Sequence, residues 1–413
     1  MTRDVEYDAV IVGGGPSGLT TALAIARGAP ELVPRILVLE KARYPREKPC
    51  AGAIGGRGDR LLQSIGVEID VPSVPIDGVS FRGLEGEAVA APGAIGRVVR
   101  RIEFDHALAH AASSRGIVIR EGVRVSGVRD GEGGGAVVET SEGALHAHVV
   151  VGCDGVGSTV RKGLGLGAGQ LRAQVIEVDT EPVAGDRDRA LLHFDASDPR
   201  VLGYAWDFPT MVRGRPLVCR GVYRVKTDVD VEAGTPDVGL LLAERLRSLG
   251  IDSAKCESKR YAERGYEPTS CVARRAMMLV GEAAGIDLPT GEGIAQAIEY
   301  GVLAGGFLAR RLRVSRGRPV VVDDWADTVA GSRLARDLRI RLHCMRLFFG
   351  PSRRQAERLV TDSPDLLHVG CQHFAGQRYD WIRVGKAAWL GARLAAARVA
   401  VRGLPVVRTG RPT

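Results

Sequence analysis

Apolar and polar positions along this chain repeat in more than one period. Near the start a continuous apolar run, Ala9-Val10-Ile11-Val12, leads straight into glycines. An alanine-rich stretch with helical spacing covers 19–27, and a second apolar run, Ile36-Leu37-Val38-Leu39, ends on Glu40. Unbroken apolar runs of this length fit strands buried on both faces, and a helix between two of them fits a parallel crossover. Helical spacing returns at 59–65, with Leu61, Leu62 and Ile65 in phase. Residues 71–97 alternate, with Val79, Phe81 and Val89 between glycines and prolines, and predict short strands of a second, antiparallel element. After Asp105 a helix follows with Leu108, Ala111 and Ala112 on one face, ended by Gly116. Further strands are predicted at 117–119, 123–125, 136–140 and 147–153.

The stretch 170–267 is β-rich, with strands at 191–194, 203–209 and 217–223 and a helix over 238–249. A buried strand at 276–280 feeds a turn and a long helix through about Arg311. From Pro319 the spacing is mostly helical, notably over 325–349 and 386–401. These elements predict an α/β chain, α+β overall. A Rossmann-like domain is assembled from 1–75, 97–168 and 270–315. An inserted antiparallel β-sheet domain takes 76–96 and 169–269, and a helical, basic C-terminal region takes 316–413.

The first turn carries the clearest chemistry. Gly13-Gly14-Gly15-Pro16-Ser17-Gly18 holds G-x-G-x-x-G between a strand and a helix, with Glu40 about twenty residues on. Gly13 suits a tight turn, Gly15 leaves room for a pyrophosphate, and Gly18 lets the helix pack on the sheet. The helix N-terminus offers N–H groups to phosphate, and Glu40 can accept from a ribose. The unit binds a dinucleotide, and NAD and FAD sites share it.

Composition and charge add limits. The 413 residues are 45% hydrophobic and 26% charged, as in an ordinary globular protein. No apolar run is long enough to span a membrane, and the first residues lack the apolar core of a signal peptide. Seven cysteines are scattered without CxxC spacing, which predicts free thiols, a cytoplasmic setting and no structural metal. The net charge of +8 is uneven, with 21 Lys and Arg against 8 Asp and Glu over 301–413. This basic third is either a solvated surface or a docking face for an acidic carrier protein or a membrane surface. No nucleic-acid-binding motif accompanies it.

Four further stretches carry candidate chemistry. The loop Lys48-Pro49-Cys50-Ala51-Gly52 emerges beside the nucleotide turn, and Cys50 is either a core thiol or an active-site group. Asp154 follows a buried strand, with Ser158 and Thr159 able to open a helix. Tyr204, Trp206 and Phe208 share one strand face, as packing or as the wall of an apolar pocket. Gly281-Glu282 ends another strand, and Gly291, Gly293 and Ile294 lead into a helix N-terminus.

As an ordered set, Gly13–Gly18 with Glu40, Arg101 in Arg-x-x-Phe-Asp, Cys153-Asp154-Gly155 and Gly281-Glu282 resemble the FAD-dependent oxidoreductases and aromatic hydroxylases. Within that class the chain looks most like the geranylgeranyl reductase family. The similarity rests on Lys48-Pro49-Cys50-Ala51-Gly52-Ala53-Ile54, Tyr204-Ala205-Trp206-Asp207-Phe208-Pro209 and Pro289-Thr290-Gly291-Glu292-Gly293-Ile294. Three positions depart from that pattern: Glu282 stands for an aspartate, Ala51 for a glycine, and Thr210 for a common lysine.

The resemblance implies an FAD domain. Gly13, Gly15, Pro16, Ser17, Gly18, Glu40 and Lys41 would hold the ADP half. Arg101 would contact the cofactor, Asp154 would sit near the pyrophosphate, and Gly281 with Glu282 would meet the ribityl chain. Gly291, Gly293 and Ile294 would offer N–H groups beside the isoalloxazine, with Cys50 and Ala51 also next to the ring. Tyr204, Trp206 and Phe208 would bind a lipophilic substrate. The implied reaction is reduction of a C=C bond, with Cys50 as a catalytic proton donor or positioner. NAD(P)H or another transient donor would supply electrons. A monooxygenase on the same fold is the alternative, and a non-catalytic flavoprotein that docks on an acidic partner is a third reading.

Overall fold

A computed structural model of the chain describes residues 6–184, 186, 190–226, 236–288, 290–386, 388 and 389. Three sheets organise them. The first is built on β1 (Tyr7–Val12), β2 (Ile36–Glu40), β8 (Val118–Glu121), β11 (Gly143–Gly152) and β18 (Met277–Leu279). Their spatial order is β18-β11-β1-β2-β8, with every pair parallel. The hairpin β9 (Val125–Asp130) and β10 (Ala136–Thr140) extends β11, and β17 (Ala273–Arg274) lies antiparallel on β18.

The second sheet holds β5 (Gly78–Arg82), β6 (Glu87–Ala90), β12 (Arg172–Thr180), β13 (Leu191–Asp195), β14 (Gly203–Val212), β15 (Arg215–Lys226) and β16 (Lys259–Arg264). Its order is β16-β12-β15-β14-β13-β5-β6. It is not wholly antiparallel, because β5 runs parallel to β13. A third sheet of β3 (Ala53–Gly55), β7 (Gly96–Val99) and β4 (Ser73–Ile76) packs Ile76 and Val98 into the same core as β14. The alternating strands of 71–97 therefore divide between two sheets, since β4 and β7 pair with β3 whereas β5 and β6 join the large sheet.

The helices are α1 (Pro16–Gly28), α2 (Gly56–Ser64), α3 (Arg101–Ser113), α4 (Thr159–Gly163), α5 (Val238–Ser248), α6 (Ile294–Ser315), α7 (Trp325–Gly331), α8 (Arg333–Phe348), α9 (Arg353–Thr361) and α10 (Pro364–Ala375). The long α6 packs along α1 through two glycines. A Cβ at Gly301 would lie 2.7 Å from the Ser17 carbonyl oxygen, and one at Gly305 would lie 2.4 Å from Ala24 Cβ. Close approach of the two backbones is why those positions are glycine.

The helical stretch expected over 325–349 is broken. Gly331 ends α7, and Ser332 opens α8 by accepting the Ala335 N–H on its side chain at 3.1 Å. Most of the helix expected over 386–401 lies outside the described residues. A second apolar core, separate from that of the parallel sheet, joins Tyr204, Trp206, Phe208 and Tyr223 to Leu342 and Met345 of α8 and Cys371 of α10. Helices α8 and α10 are thus part of the core of the second sheet. Among the described residues no helix is long and apolar enough to cross a membrane.

Candidate active site

The site starts at the C-terminal ends of β1 and β11, where the parallel sheet meets the N-terminus of α1. Gly13 has φ +105°, and a Cβ there would lie 2.4 Å from the Cys153 carbonyl oxygen. A Cβ at Gly18 would meet the Gly13 carbonyl oxygen at 1.9 Å. At Gly15 the nearest atom to a built Cβ is Arg101 Nη2, 3.9 Å away. Gly13 and Gly18 are therefore needed by the fold, and Gly15 leaves an open cradle. Leu19 makes the first helical bond, to the Gly15 carbonyl, so the N–H groups of Ser17 and Gly18 stand ahead of the ladder.

Glu40 ends β2 and braces this turn. Its Oε2 accepts the Gly14 N–H at 2.9 Å and its Oε1 accepts the Ala42 N–H at 3.0 Å. Arg46 pairs with Glu40 at 3.3 Å and with Asp105 at 3.1 Å, and the Tyr44 hydroxyl donates to the Gly14 carbonyl. Lys41, next in sequence, is exposed. Tyr44 and Arg46 lie in the irregular loop, and no periodic signal singled them out. Asp154 caps α4, accepting Thr159 N–H at 2.6 Å on Oδ2, while its Oδ1 is buried with no partner among the described residues. Burial raises its carboxyl above the ordinary value, against hydrogen bonds from Ser158, Thr159 and Val160.

Arg101 opens α3, and its guanidinium is gripped by Asp105 through two bonds of 2.7 Å. It also reaches Cys50, so one cation connects the Gly15 cradle to the cysteine loop. Cys50 is half-buried. Its N–H donates to Glu177 Oε1 at 2.9 Å, and its sulfur accepts the Gly52 N–H at 3.4 Å. Burial pushes the thiol up, Arg101 opposes this, and the net direction is upward, so Cys50 carries its proton at neutral pH. Ala51 beside it is half-buried and packs on the second apolar core.

Across the cleft, Gly281 seats on Ser17, where a Cβ would lie 2.6 Å from Ser17 Oγ. Glu282 follows, half-buried, with Oε2 3.4 Å from a built Cβ at Gly155. Burial raises its carboxyl, and the nearby cations Lys48 and Arg101 oppose the rise. Gly291 and Gly293 are half-buried, and Ile294 begins α6. Their loop is held from two sides. Tyr204 donates its hydroxyl to the Thr290 carbonyl at 2.8 Å. Arg341 of α8 binds Asp287 at 2.8 Å, Thr290 Oγ1 at 2.9 Å and Glu292 at 2.6 Å. Pro289, within this loop, lies outside the described residues.

Tyr204, Trp206 and Phe208 share one face of β14, but they are only 8%, 2% and 6% exposed. Phe194 meets Tyr204 and Phe208 edge-on, and Tyr223 stacks on Tyr204. The row is packed, and partial exposure remains on β16 at one edge of the sheet. There Tyr261 and Glu263 are half-buried, and Glu263 feels both Glu282 and Lys48. Sequence reasoning did not single out Glu177, Tyr223, Tyr261 or Glu263. No alternation marks 259–264, where Lys-Arg-Tyr-Ala-Glu-Arg pairs like with like, so that strand carried no signal for Tyr261 or Glu263.

Residues 6–189 match the FAD binding domain family. Digeranylgeranylglycerophospholipid reductase 1 of Methanococcoides burtonii is 27% identical over 321 residues, 74% of this chain and 75% of the relative. Rifampicin monooxygenase of Streptomyces venezuelae is 32% identical over 167 residues, only 39% of this chain and 34% of that protein. A solved geranylgeranyl bacteriochlorophyll reductase-like protein from Thermoplasma acidophilum superposes with TM-score 0.71 at 19% identity, covering 94% of this chain and 100% of that one.

The chain carries an FAD binding domain over residues 6–189, and along most of its length it is similar to geranylgeranyl reductase-like proteins. The residues of this flavoprotein fit its cofactor. The open Gly15 cradle and the free N–H groups of Ser17 and Gly18 suit a pyrophosphate. The unpartnered Asp154 Oδ1 and the Glu282 carboxylate offer acceptors along the same cleft. Bound FAD supplies two-electron chemistry, and the protein supplies the shape and charge around it.

Proposed function

We propose that this flavoprotein reduces a carbon–carbon double bond in a lipophilic, isoprenoid or polyketide-like substrate. The observation that carries the reading is an unbroken chain of contacts from the nucleotide turn to the second sheet. Arg101 joins the Gly15 cradle to Cys50, and Cys50 is tied by Glu177 to the aromatic sheet. An apolar ligand seated on that sheet edge lies beside the loop of Gly291 and Gly293, whose backbone N–H groups suit an electron-rich ring. The likeness to reductases of an isoprenoid lipid along three quarters of the chain supports the same reading.

The residues divide the work. Gly13 to Gly18 and Glu40 shape the cofactor cradle, and Arg101 sets a positive charge between cradle and cleft. Cys50, neutral at physiological pH, orients the substrate end without adding charge to an apolar site. The electron donor in this reading is NAD(P)H or another transient carrier. The basic C-terminal region, with Trp381, Ile382 and Trp389 exposed at 74%, 73% and 61%, serves as a docking face for an acidic carrier or membrane surface.

The test is turnover of FAD-loaded protein with prenylated and polycyclic compounds, with and without O₂, read by product mass. A product heavier by two hydrogens, formed anaerobically, supports the reductase. A product heavier by one oxygen, formed only in air, replaces it with a monooxygenase, the activity named for the Streptomyces relative.

A further inference from the structure

Two carboxylates face the cleft from the large sheet, and their surroundings give them different duties. Glu177 on β12 is 2% exposed and uses both oxygens. Oε1 accepts the Cys50 N–H at 2.9 Å, and Oε2 accepts the Tyr261 hydroxyl at 3.1 Å. It is a structural tie between the cysteine loop and the sheet.

Glu263 on β16 is half-buried. Its Oε2 accepts the Tyr223 hydroxyl at 3.0 Å, and no described residue donates to Oε1. Tyr223 is fixed in turn, because it stacks on Tyr204 with centroids 5.1 Å apart, and Tyr204 is bonded to the Thr290 carbonyl. One oxygen of Glu263 is therefore held at a set place beside the loop of Gly291, and the other is left for a ligand. The charged and titratable groups around it are Glu282 and Asp287 from the loop side, Lys48 and Cys50 from the cysteine loop, and Tyr204, Tyr223 and Tyr261 from the sheet. Burial, then the Glu282 charge, push the Glu263 carboxyl up to about 8. It is thus an acid that keeps its proton at neutral pH.

We propose that Glu263, positioned by Tyr223, delivers the proton to the substrate carbon in the double-bond reduction proposed above. The step balances simply. The Glu263 O–H bond breaks and a C–H bond forms at one alkene carbon, while the hydride and its electron pair at the other carbon come from reduced FAD. NAD(P)H or another two-electron donor replenishes the flavin. The carboxylate left behind is steadied by the Tyr223 hydroxyl and takes its next proton from water in the cleft. The inference rests on the reductase reading, and its experiment separates the two.

The first measurement is an infrared pH titration of the FAD-loaded protein, which needs no substrate. A protonated-carboxyl band should fade with a midpoint near 8 and be missing from Glu263→Gln at equal FAD content. Tyr223→Phe removes a bond that favours the charged form, so its midpoint should move up. The second is anaerobic turnover of the dithionite-reduced protein with geranylgeraniol in detergent micelles. Glu263→Gln should form saturated product about 100-fold more slowly and lose the alkaline limb of the pH profile. Absence of the band overturns the proposal whatever the reaction. A Glu263→Gln variant with the wild-type rate and pH profile overturns it too. A normal band with no saturated product anaerobically, and an oxygenated product when the reduced protein is instead exposed to air, overturns the reductase reading and, with it, the destination assigned to the proton.

Discussion

Trp206 on β14 lies across Gly221, its register partner on β15, and a Cβ at 221 would be 2.2 Å from the indole ring. The ring occupies the space that any other side chain at 221 would need. Gly221→Ala should therefore destabilise the fold by about 1–3 kcal/mol through overpacking, and Trp206→Ala by about 3–5 kcal/mol through the cavity it leaves. Denaturant unfolding reads both values. FAD content of the folded fraction should stay near wild type in each, because neither residue touches the Gly15 cradle.

The glycine turn gives a sharper contrast. A methyl at Gly15 meets nothing nearer than 3.9 Å, whereas one at Gly18 would lie 1.9 Å from a backbone oxygen. Gly15→Ala should fold with unchanged melting temperature and bind FAD at least about tenfold more weakly, a loss of about 1.4 kcal/mol. Gly18→Ala should fail to fold stably. Calorimetry of the apoproteins and FAD titration separate the two losses, and a Gly15→Ala variant with full FAD affinity would count against the cradle.

Arg341 is the hub of the loop beside the cleft, pairing with Asp287, Glu292 and Asp337. Arg341→Met leaves buried carboxylates without their cation, a change worth about 3–5 kcal/mol. Lysine cannot reproduce the forked contacts, so Arg341→Lys should recover only part of it. Proteolysis of the loop at 287–293 should rise in parallel with the loss in unfolding free energy.

Stability should respond to pH in two opposite ways. Glu263 has its folded value raised to about 8, so its contribution is complete below the ordinary carboxylate range and is lost as pH rises toward that value. Wild-type protein should lose stability relative to Glu263→Gln as pH rises from about 5 to about 8. Asp337 goes the other way. Burial raises its carboxyl, but His373, Arg341 and Arg57 outweigh burial and hold it well below its ordinary value. Its contribution is present above pH about 4 and disappears on further acidification, so Asp337→Asn should flatten the acid limb of the unfolding curve.

The local signals that were legible share one physical basis: each depends on residues close in sequence. The strand-turn-helix at Gly13–Gly18 needs its glycines for contacts within one turn, and Ser158 caps α4 three residues ahead. The row Tyr204, Trp206 and Phe208 was legible as one face of a strand. Whether that face was pocket or packing was not, because Phe194, Tyr223 and Leu342 come from distant parts of the chain. Tyr223 and Glu263 stand 40 residues apart on strands separated by β12, so no periodicity announced their hydrogen bond.

The sequence by itself determined a dinucleotide unit, a second β-rich layer and a basic helical end, because hydrophobic period and glycine placement are properties of short segments. The tertiary structure decided how those parts share one cleft. It placed Arg101 between Gly15 and Cys50, brought Arg341 of α8 onto the loop of Gly291, and buried the aromatic row while leaving Glu263 with an open oxygen. Those outcomes depend on which faces pack together and how far water is excluded, and these are fixed only when the whole chain has folded.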